Sequence, residues 1–146
     1  MLVGTYRYSI DIKNRICIPP KFRSDLGGHC VISKDIADNC VNLYSLDQWE
    51  KYTADIEKLP RIEMRKLRKE IYANSDEMDL DSNGRIILNQ QICAKVGLAG
   101  EKEAIIIGHY THAQIWNVSE WEKYENDLNS EKTRESIVNK LIEIGF

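Results

Sequence analysis

The sequence predicts an α+β protein with a mainly β core, in which two copies of one unit together build a single barrel. The main observation is internal repetition. Residues 8–27 match residues 78–97 at an offset of 70, and residues 43–55 match residues 115–127 at an offset of 72. Neither copy has enough strand to close a sheet of its own. We therefore expect the hairpins of the two copies to pair with each other, which removes exposed strand edges.

Each copy begins with a predicted strand and a tight turn. Tyr6, Tyr8 and Ile10 alternate with polar residues, a pattern typical of a half-buried strand. The turns follow at residues 11–14 and 81–84. Each turn starts with Asp, whose carboxylate can accept backbone N–H bonds, and ends with Asn or Gly, which both tolerate positive φ. The same turn geometry is therefore expected in both copies.

A short helix and further strands follow each turn. The short helices are expected to end at Gly27 and Gly97, and Pro19 and Pro20 fit the start of the first one. The strands are expected at residues 16–18, 30–33 and 41–44 in the first copy and at 86–88, 104–107 and 114–116 in the second.

An amphipathic helix closes each copy, beginning near Leu46 and Val118. The expected caps are Asp47 for the first helix and the capping box of Ser119 with Glu122 for the second. Recurring aromatic residues on these helices are expected to be core or interface anchors: Trp49, Tyr52, Trp121 and Tyr124. These predictions assign the first unit to 5–48, a basic helical insert to 59–74, the second unit to 76–120 and C-terminal helices to 121–146.

The net charge of −3 conceals alternating blocks of charge. Residues 1–34 carry +4 and residues 58–69 carry +5, whereas residues 35–57 and 70–81 carry −5 each. Such a chain can present a basic surface while it remains acidic overall, so the net charge does not exclude binding to nucleic acid. In the insert, the basic residues lie opposite an apolar stripe and are suited to DNA, a neighbouring subunit or solvent: Arg61, Arg65, Arg68 and Lys69.

Several functional classes have no support in the sequence. No apolar run approaches the roughly 18 residues of a membrane span, and the N-terminus has no secretory signal pattern. The motifs of hydrolases, P-loop enzymes and zinc proteases are absent, and His109 and His112 have no third metal ligand nearby. The four cysteines lack CxxC spacing and are expected to be free thiols: Cys17, Cys30, Cys40 and Cys93. We expect no enzyme activity, cofactor, metal, membrane partner or small-molecule substrate.

Two motifs carry a resemblance to a known family. Residues 11–23 fit D-x-K-[GN]-R-x-x-[IL]-P-x-x-[FL]-R, and residues 81–88 fit D-x-x-G-R-[IV]-x-[IL]. The unit endings at residues 43–51 and 115–123, LYSLDQWEK and IWNVSEWEK, complete the pattern. In these motifs, over residues 1–128, the chain resembles the MraZ family.

The resemblance implies a fold and a function. The implied fold is a pair of tandem AbrB-like swapped-hairpin units that form a double-split β-barrel with flanking helices. The implied function is a bacterial transcriptional regulator, cytoplasmic and nucleoid-associated, that acts on the division and cell-wall gene cluster. It would bind short direct repeats in double-stranded promoter DNA upstream of its own operon as a ring-shaped, octamer-like homo-oligomer. The second copy departs from the pattern because it lacks counterparts of Pro19, Lys21 and Arg23, so a weaker contribution to DNA binding is expected from it.

Arg15 and Arg85 are the sharpest candidates for DNA contact. Each follows a tight turn, and arginine can read guanine bidentately or grip a phosphate. The alternative is a salt bridge to Asp11 or Asp81 that pins the hairpin. The rest of the predicted DNA-binding set lies around the first turn, with a solvated charged face as its alternative: Arg7, Lys13, Asn14, Lys21 and Arg23. For Arg23, pairing with Asp25 or with a neighbouring subunit is a further alternative.

A second function remains open, an antitoxin-like protein-interaction module. Residues 119–146 are rich in Glu and end in an apolar segment, Ile142–Phe146. Such a segment is suited to docking against a partner protein.

Overall fold

A computed structural model describes residues 1–146, with eight strands and six helices. The first copy contains β1 (Thr5–Ser9), β2 (Arg15–Cys17), α1 (Pro20–Leu26), β3 (His29–Lys34), β4 (Cys40–Ser45) and α2 (Leu46–Glu57). Helix α3 (Arg61–Tyr72) connects it to the second copy. The second copy contains β5 (Ser75–Asp79), β6 (Arg85–Ile87), α4 (Gln90–Ala94), β7 (Glu103–Gly108), β8 (Ala113–Trp116) and α5 (Val118–Leu128), and α6 (Glu131–Glu143) ends the chain.

The two copies exchange strands within one antiparallel sheet. Its order is β1-β7-β8-β4-β3-β5, so β1 of the first copy pairs with β7 of the second, and β5 of the second pairs with β3 of the first. Strands β2 and β6 form a separate two-stranded ribbon. The predicted α+β class with a mainly β core is confirmed. The six-stranded sheet itself is open, with β1 and β5 at its edges.

Equivalent residues of the two copies fill one core. Each pair is separated by 70 residues, and every member is at most 4% exposed, as tight packing requires. The first copy contributes Ile16, Ile18, Phe22 and Leu26, and the second contributes Ile86, Leu88, Ile92 and Val96. The repeat in the sequence is therefore a repeat of core positions.

The short helices end differently in the two copies. Helix α1 ends at Leu26, and Gly27 follows with φ 75°, as predicted. Helix α4 ends at Ala94, so the prediction that it reaches Gly97 is wrong. The chain turns over the next residues because the Leu98 amide donates to the Cys93 carbonyl at 2.9 Å, and Gly97 with φ 74° lies inside that turn.

The long helices begin where predicted, but their caps are one residue before the helix. Ser45 caps α2 and Asn117 caps α5, each accepting the backbone N–H three residues further on, at 3.2 Å and 3.1 Å. The expected caps are wrong, because Asp47 and Ser119 lie inside the first helical turn and the Ser119–Glu122 capping box does not form. An N-cap residue must itself be outside the helix.

Aromatic side chains fasten the long helices to the sheet, as expected for anchors. In the first copy, Tyr44 on β4 stacks on Tyr52 of α2, with ring centroids 5.2 Å apart. In the second, Trp116 on β8 meets Trp121 edge to face at 5.3 Å. Trp49 and Tyr124 join the same two clusters.

Helices α3 and α6 differ in how they pack. In α3, Met64 and Ile71 are buried, and Arg68 bonds to Glu57 of α2 at 2.6 Å, so one of the four predicted basic residues is occupied within the chain. Helix α6 has no buried residue. None of the helices has the length and the apolar character that crossing a membrane requires.

Candidate nucleic-acid interface

The two turns have the same backbone geometry, as the sequence predicts. Asn14 has φ 61° and Gly84 has φ 72°, and these positions are equivalent in the repeat. In each turn the Asp carbonyl accepts the backbone N–H three residues on, at 3.0 Å for Asp11 and 2.9 Å for Asp81. The left-handed conformation is tolerated by Asn and is unstrained in Gly, which explains why these two residue types alternate here.

One Asp carboxylate organises each turn and its arginine. Asp11 Oδ1 accepts the backbone N–H of Arg15 at 2.9 Å, and its Oδ2 accepts Arg15 Nε at 2.7 Å. Asp81 makes the same bonds to Arg85, at 3.0 Å and 2.9 Å. The backbone N–H bond from the arginine is the main reason that the pKa of each carboxyl lies below its ordinary value.

These bonds do not involve the terminal guanidinium nitrogens of either arginine. The salt bridge that the sequence left as an alternative is present, but only Nε takes part in it. The terminal nitrogens of Arg15 and Arg85 have no hydrogen-bond partner in the chain, and the side chains are 28% and 27% exposed. A guanidinium held at Nε is oriented before any ligand arrives, which lowers the entropy cost of binding.

The ribbon of β2 and β6 brings the two arginines together. Ile16 pairs with Ile86 and both side chains are buried, so the alternate residues point outward. Arg15 lies opposite Ile87 and Arg85 lies opposite Cys17. The two arginines are therefore two residue positions apart along the ribbon, about 7 Å, on one outer face.

Two residues on that face were missed by the sequence analysis. Ile87 is 63% exposed beside Arg15, and Cys17 is half-buried beside Arg85. The signal was available, because a strand that buries Ile16 must turn both of its neighbours outward.

Arg23 lies across the second turn rather than beside the first. It extends from α1, and its Nε donates to the Ile18 carbonyl at 3.0 Å. Its guanidinium covers Gly84, where an added Cβ would lie 2.2 Å from Arg23 Cζ. The contact between Arg23 and Gly84 was not predicted, although both positions carry a different residue type in the other copy, Cys93 and Asn14.

The other predicted basic residues are more dispersed. Lys13 is exposed within the first turn and Lys21 is exposed on α1, and neither forms an ion pair. Arg7 lies on β1 and bonds to Glu103 of β7 at 2.7 Å and 3.2 Å. Its guanidinium is therefore held against β7 by an ion pair and is not free as the side chains of Lys13 and Lys21 are.

A cleft on the far side of the sheet contains the two histidines that the sequence singled out. The cleft measures about 500 Å³, and the rings of His109 and His112 stack at 4.8 Å. Burial lowers the pKa of His112 to about 4. No group of three or more His, Cys, Asp or Glu side chains is placed to hold a metal ion.

Comparison with known proteins identifies a family over nearly the whole chain. The family model described as "MraZ protein, putative antitoxin-like" matches residues 1–69 and again residues 71–140. A transcriptional regulator MraZ of Alkaliphilus oremlandii is 38% identical over 148 residues, with both chains fully covered. Proteins of the same name from Acetivibrio thermocellus and Clostridium tetani are 36% and 32% identical, also over their full lengths.

Proposed function

Because the chain belongs to the MraZ family, we propose that it is a transcriptional regulator that recognises specific sequences in double-stranded promoter DNA. The observation that carries the proposal is the outer face of the ribbon, where Arg15 and Arg85 are held by Nε with their terminal nitrogens unpaired. The major groove of DNA admits a two-stranded ribbon, and arginine binds the O6 and N7 atoms of guanine bidentately. Each copy thus supplies one base-reading arginine.

The basic residues around the ribbon supply contacts to the DNA backbone. Lys13, Lys21 and the unpaired terminal nitrogens of Arg23 can each approach a phosphate, and Asn14 lies at the apex of the first turn. Arg7, bonded to Glu103, is assigned a more distant phosphate contact. Such contacts fix the register on the duplex without reading its sequence.

One ribbon contacts few base pairs, since each of its strands has three residues. We therefore place several chains in an octamer-like ring whose ribbons engage successive short direct repeats upstream of the chain's own operon, in the division and cell-wall gene cluster. Linked weak contacts raise the apparent affinity by ~10²–10⁴ without any new contact. In this proposal AbrB-like units at 5–48 and 76–120 close with the ribbon into a double-split barrel, and the protein works on the nucleoid.

Footprinting on the DNA upstream of the chain's own gene tests this function, together with affinity measurements on variants. We expect evenly spaced protections, and Arg15→Ala should lower the affinity at least about tenfold because one bidentate contact contributes roughly 1–3 kcal/mol. Lys132→Ala, which removes an exposed charge on α6, is the matched control and should bind as the unaltered protein does. Equal binding by Arg15→Ala would refute the assignment of the interface.

The antitoxin-like alternative rests on the exposed end of α6. Val138, Ile142 and Phe146 are 50%, 61% and 85% exposed, so an apolar strip faces solvent. If this strip holds a partner protein, a stoichiometric second protein should co-purify and be lost on Ile142→Lys. Retention of promoter DNA at low salt without any such protein would favour the regulator.

A further inference from the structure

The apex of the second turn is covered by a residue of the first copy. Gly84 is buried although its neighbours Ser82 and Asn83 are exposed. The cover is the guanidinium of Arg23: a Cβ at position 84 would lie 2.2 Å from both Cζ and Nε and 2.7 Å from Nη1. Arg23 is itself fixed through its Nε to the Ile18 carbonyl.

At the equivalent positions of the other copy, the large and the small residue are exchanged. Position 84 corresponds to Asn14, and position 23 corresponds to Cys93. The backbone keeps the equivalence, because Ile18 N donates to Gly84 O and Leu88 N donates to Asn14 O, both at 2.8 Å. A long side chain thus faces a glycine on one side of the ribbon, and on the other side the repeat places a short side chain toward an asparagine.

We propose that Arg23 is a positioning residue for the second turn. Its guanidinium, fixed at Ile18, holds the turn at residues 81–84 against the first copy and so sets the direction in which Arg85 leaves the ribbon. The DNA-reading geometry of the second copy then depends on a side chain of the first. This inference rests on the proposed function, in which Arg85 contacts a base.

The test uses Gly84→Asn, Arg23→Cys and the double variant, which carries the residue types found at the equivalent positions of the other copy, Asn14 and Cys93. Asparagine is tolerated at the positive φ of position 84, and the group that it displaces is the flexible end of an arginine, so folding should be retained. Gly84→Asn also leaves every charge in place. Gly100→Asn is the matched control, because Gly100 has φ 76° and nothing lies within 4 Å of its added Cβ.

Gly84→Asn should bind promoter DNA about tenfold more weakly, equivalent to one lost contact of ordinary strength, and Arg23→Cys should lose at least as much because it also removes a phosphate contact. The double variant should be no weaker than Arg23→Cys alone, since both changes remove the same cover of the second turn. Gly100→Asn should bind normally. If Arg23→Cys weakens binding and Gly84→Asn does not, Arg23 acts on DNA directly and the proposal is wrong; normal binding by both singles also overturns it.

A measurement without DNA separates this proposal from the proposed function. In the free protein, Gly84→Asn and Arg23→Cys should both shift the amide and Nε–H resonances of Arg85, whereas Gly100→Asn should not. Absence of these shifts overturns the positioning role even if the protein binds DNA. If these shifts occur in a protein that binds no promoter DNA, the positioning role of Arg23 is supported and the DNA-binding function is refuted instead.

Discussion

The turns at residues 11–14 and 81–84 share a backbone and an Asp–Arg pair but differ in the residues around them. The first copy contributes Lys13, Lys21 and Arg23, of which Lys13 lies in the first turn and Arg23 reaches the second; the equivalent residues of the second copy are uncharged, Asn83, Gln91 and Cys93. The geometry is thus duplicated while the charge is not. The ribbon has two arms of like shape, the turns at residues 11–14 and 81–84, whereas the charge that can attract a polyanion comes mainly from one copy.

The two edge strands of the sheet, β1 and β5, also differ in charge at equivalent positions. Arg7 on β1 bonds to Glu103 of β7, and its equivalent, Glu77 on β5, bonds to His29 of β3 at 3.0 Å. One edge therefore carries its cation on the outer strand, and the other carries its anion there. The two outer strands therefore differ in charge although they are equivalent in the repeat.

The largest expected effect is on stability, and it tests whether the two copies contribute equally to the buried side of the ribbon. Ile16→Ala and Ile86→Ala should each lower the free energy of unfolding by about 2–5 kcal/mol, because both side chains are fully buried and face each other in the ribbon. Urea denaturation measures this. Ile87→Ala, at an exposed position of the same strand, should cost less than about 0.5 kcal/mol. A large difference between the two core variants would show that one copy carries the fold alone.

The next effect separates the two arms in DNA binding. Arg15→Ala should weaken promoter binding about 100-fold and Arg85→Ala about tenfold, within the roughly 1–3 kcal/mol of a bidentate contact. Arg15 should cost more because Lys13 lies in its own turn and attracts that arm to the duplex, whereas the equivalent residue of the second turn is the uncharged Asn83. Fluorescence anisotropy with labelled promoter DNA measures both. Equal losses, or a larger loss for Arg85, would contradict the assigned asymmetry.

The features that repeat within the chain could be predicted from the sequence. The turns, the strand positions and the core pairs such as Ile16 and Ile86 follow from short-range patterns that occur twice. Both arginines were singled out as candidates in the same way. A feature specified by a few neighbouring residues is readable even without a known fold.

The features that depend on contacts between distant segments were not predictable in this way. Pairing between the two copies was expected, but its specific partners, such as β1 with β7, and the cover of Arg23 over Gly84 were not, because they join residues more than 60 positions apart. The prediction of the helix caps was wrong for another reason. Several polar residues lie at each helix start, and the position of the first helical residue decides that Ser45 and Asn117 are the caps.

A smaller effect is expected when charge is moved between the arms. Lys13→Asn with Lys21→Gln should reduce the slope of log affinity against log salt by about 2, at roughly 0.9 per phosphate contact. Adding Asn83→Lys with Gln91→Lys to that variant should restore the slope, because the equivalent positions of the second turn then carry the charge. The measurement is a salt titration of binding. A slope that stays low would show that the second arm does not approach phosphate.

The smallest effect concerns the reversed ion pairs at the sheet edges. Asp79 first, and then Glu77, raises the pKa of His29 above 6.5 by accepting its ring N–H bonds. A raised histidine pKa means that the folded state keeps a proton that the unfolded state releases, so the contribution to stability is complete below about pH 6.5 and disappears as pH rises through the folded pKa. In the equivalent pair, the hydrogen bond to Glu103 raises the pKa of Arg7 above a value that is already far from neutrality, so this guanidinium stays charged.

The difference in urea midpoint between the unaltered protein and His29→Gln should therefore shrink as the pH rises above about 6.5, because the histidine with its raised pKa then loses its proton. The same difference for Arg7→Gln should stay constant. The buried His112 has its pKa lowered to about 4, so its effect on stability occurs below pH 6.5. That effect is common to the variants and the unaltered protein and cancels in both comparisons. A pH-independent His29 difference would mean that its two carboxylates do not stabilise the protonated ring, and the acidic edge would then have no counterpart to the Arg7 pair.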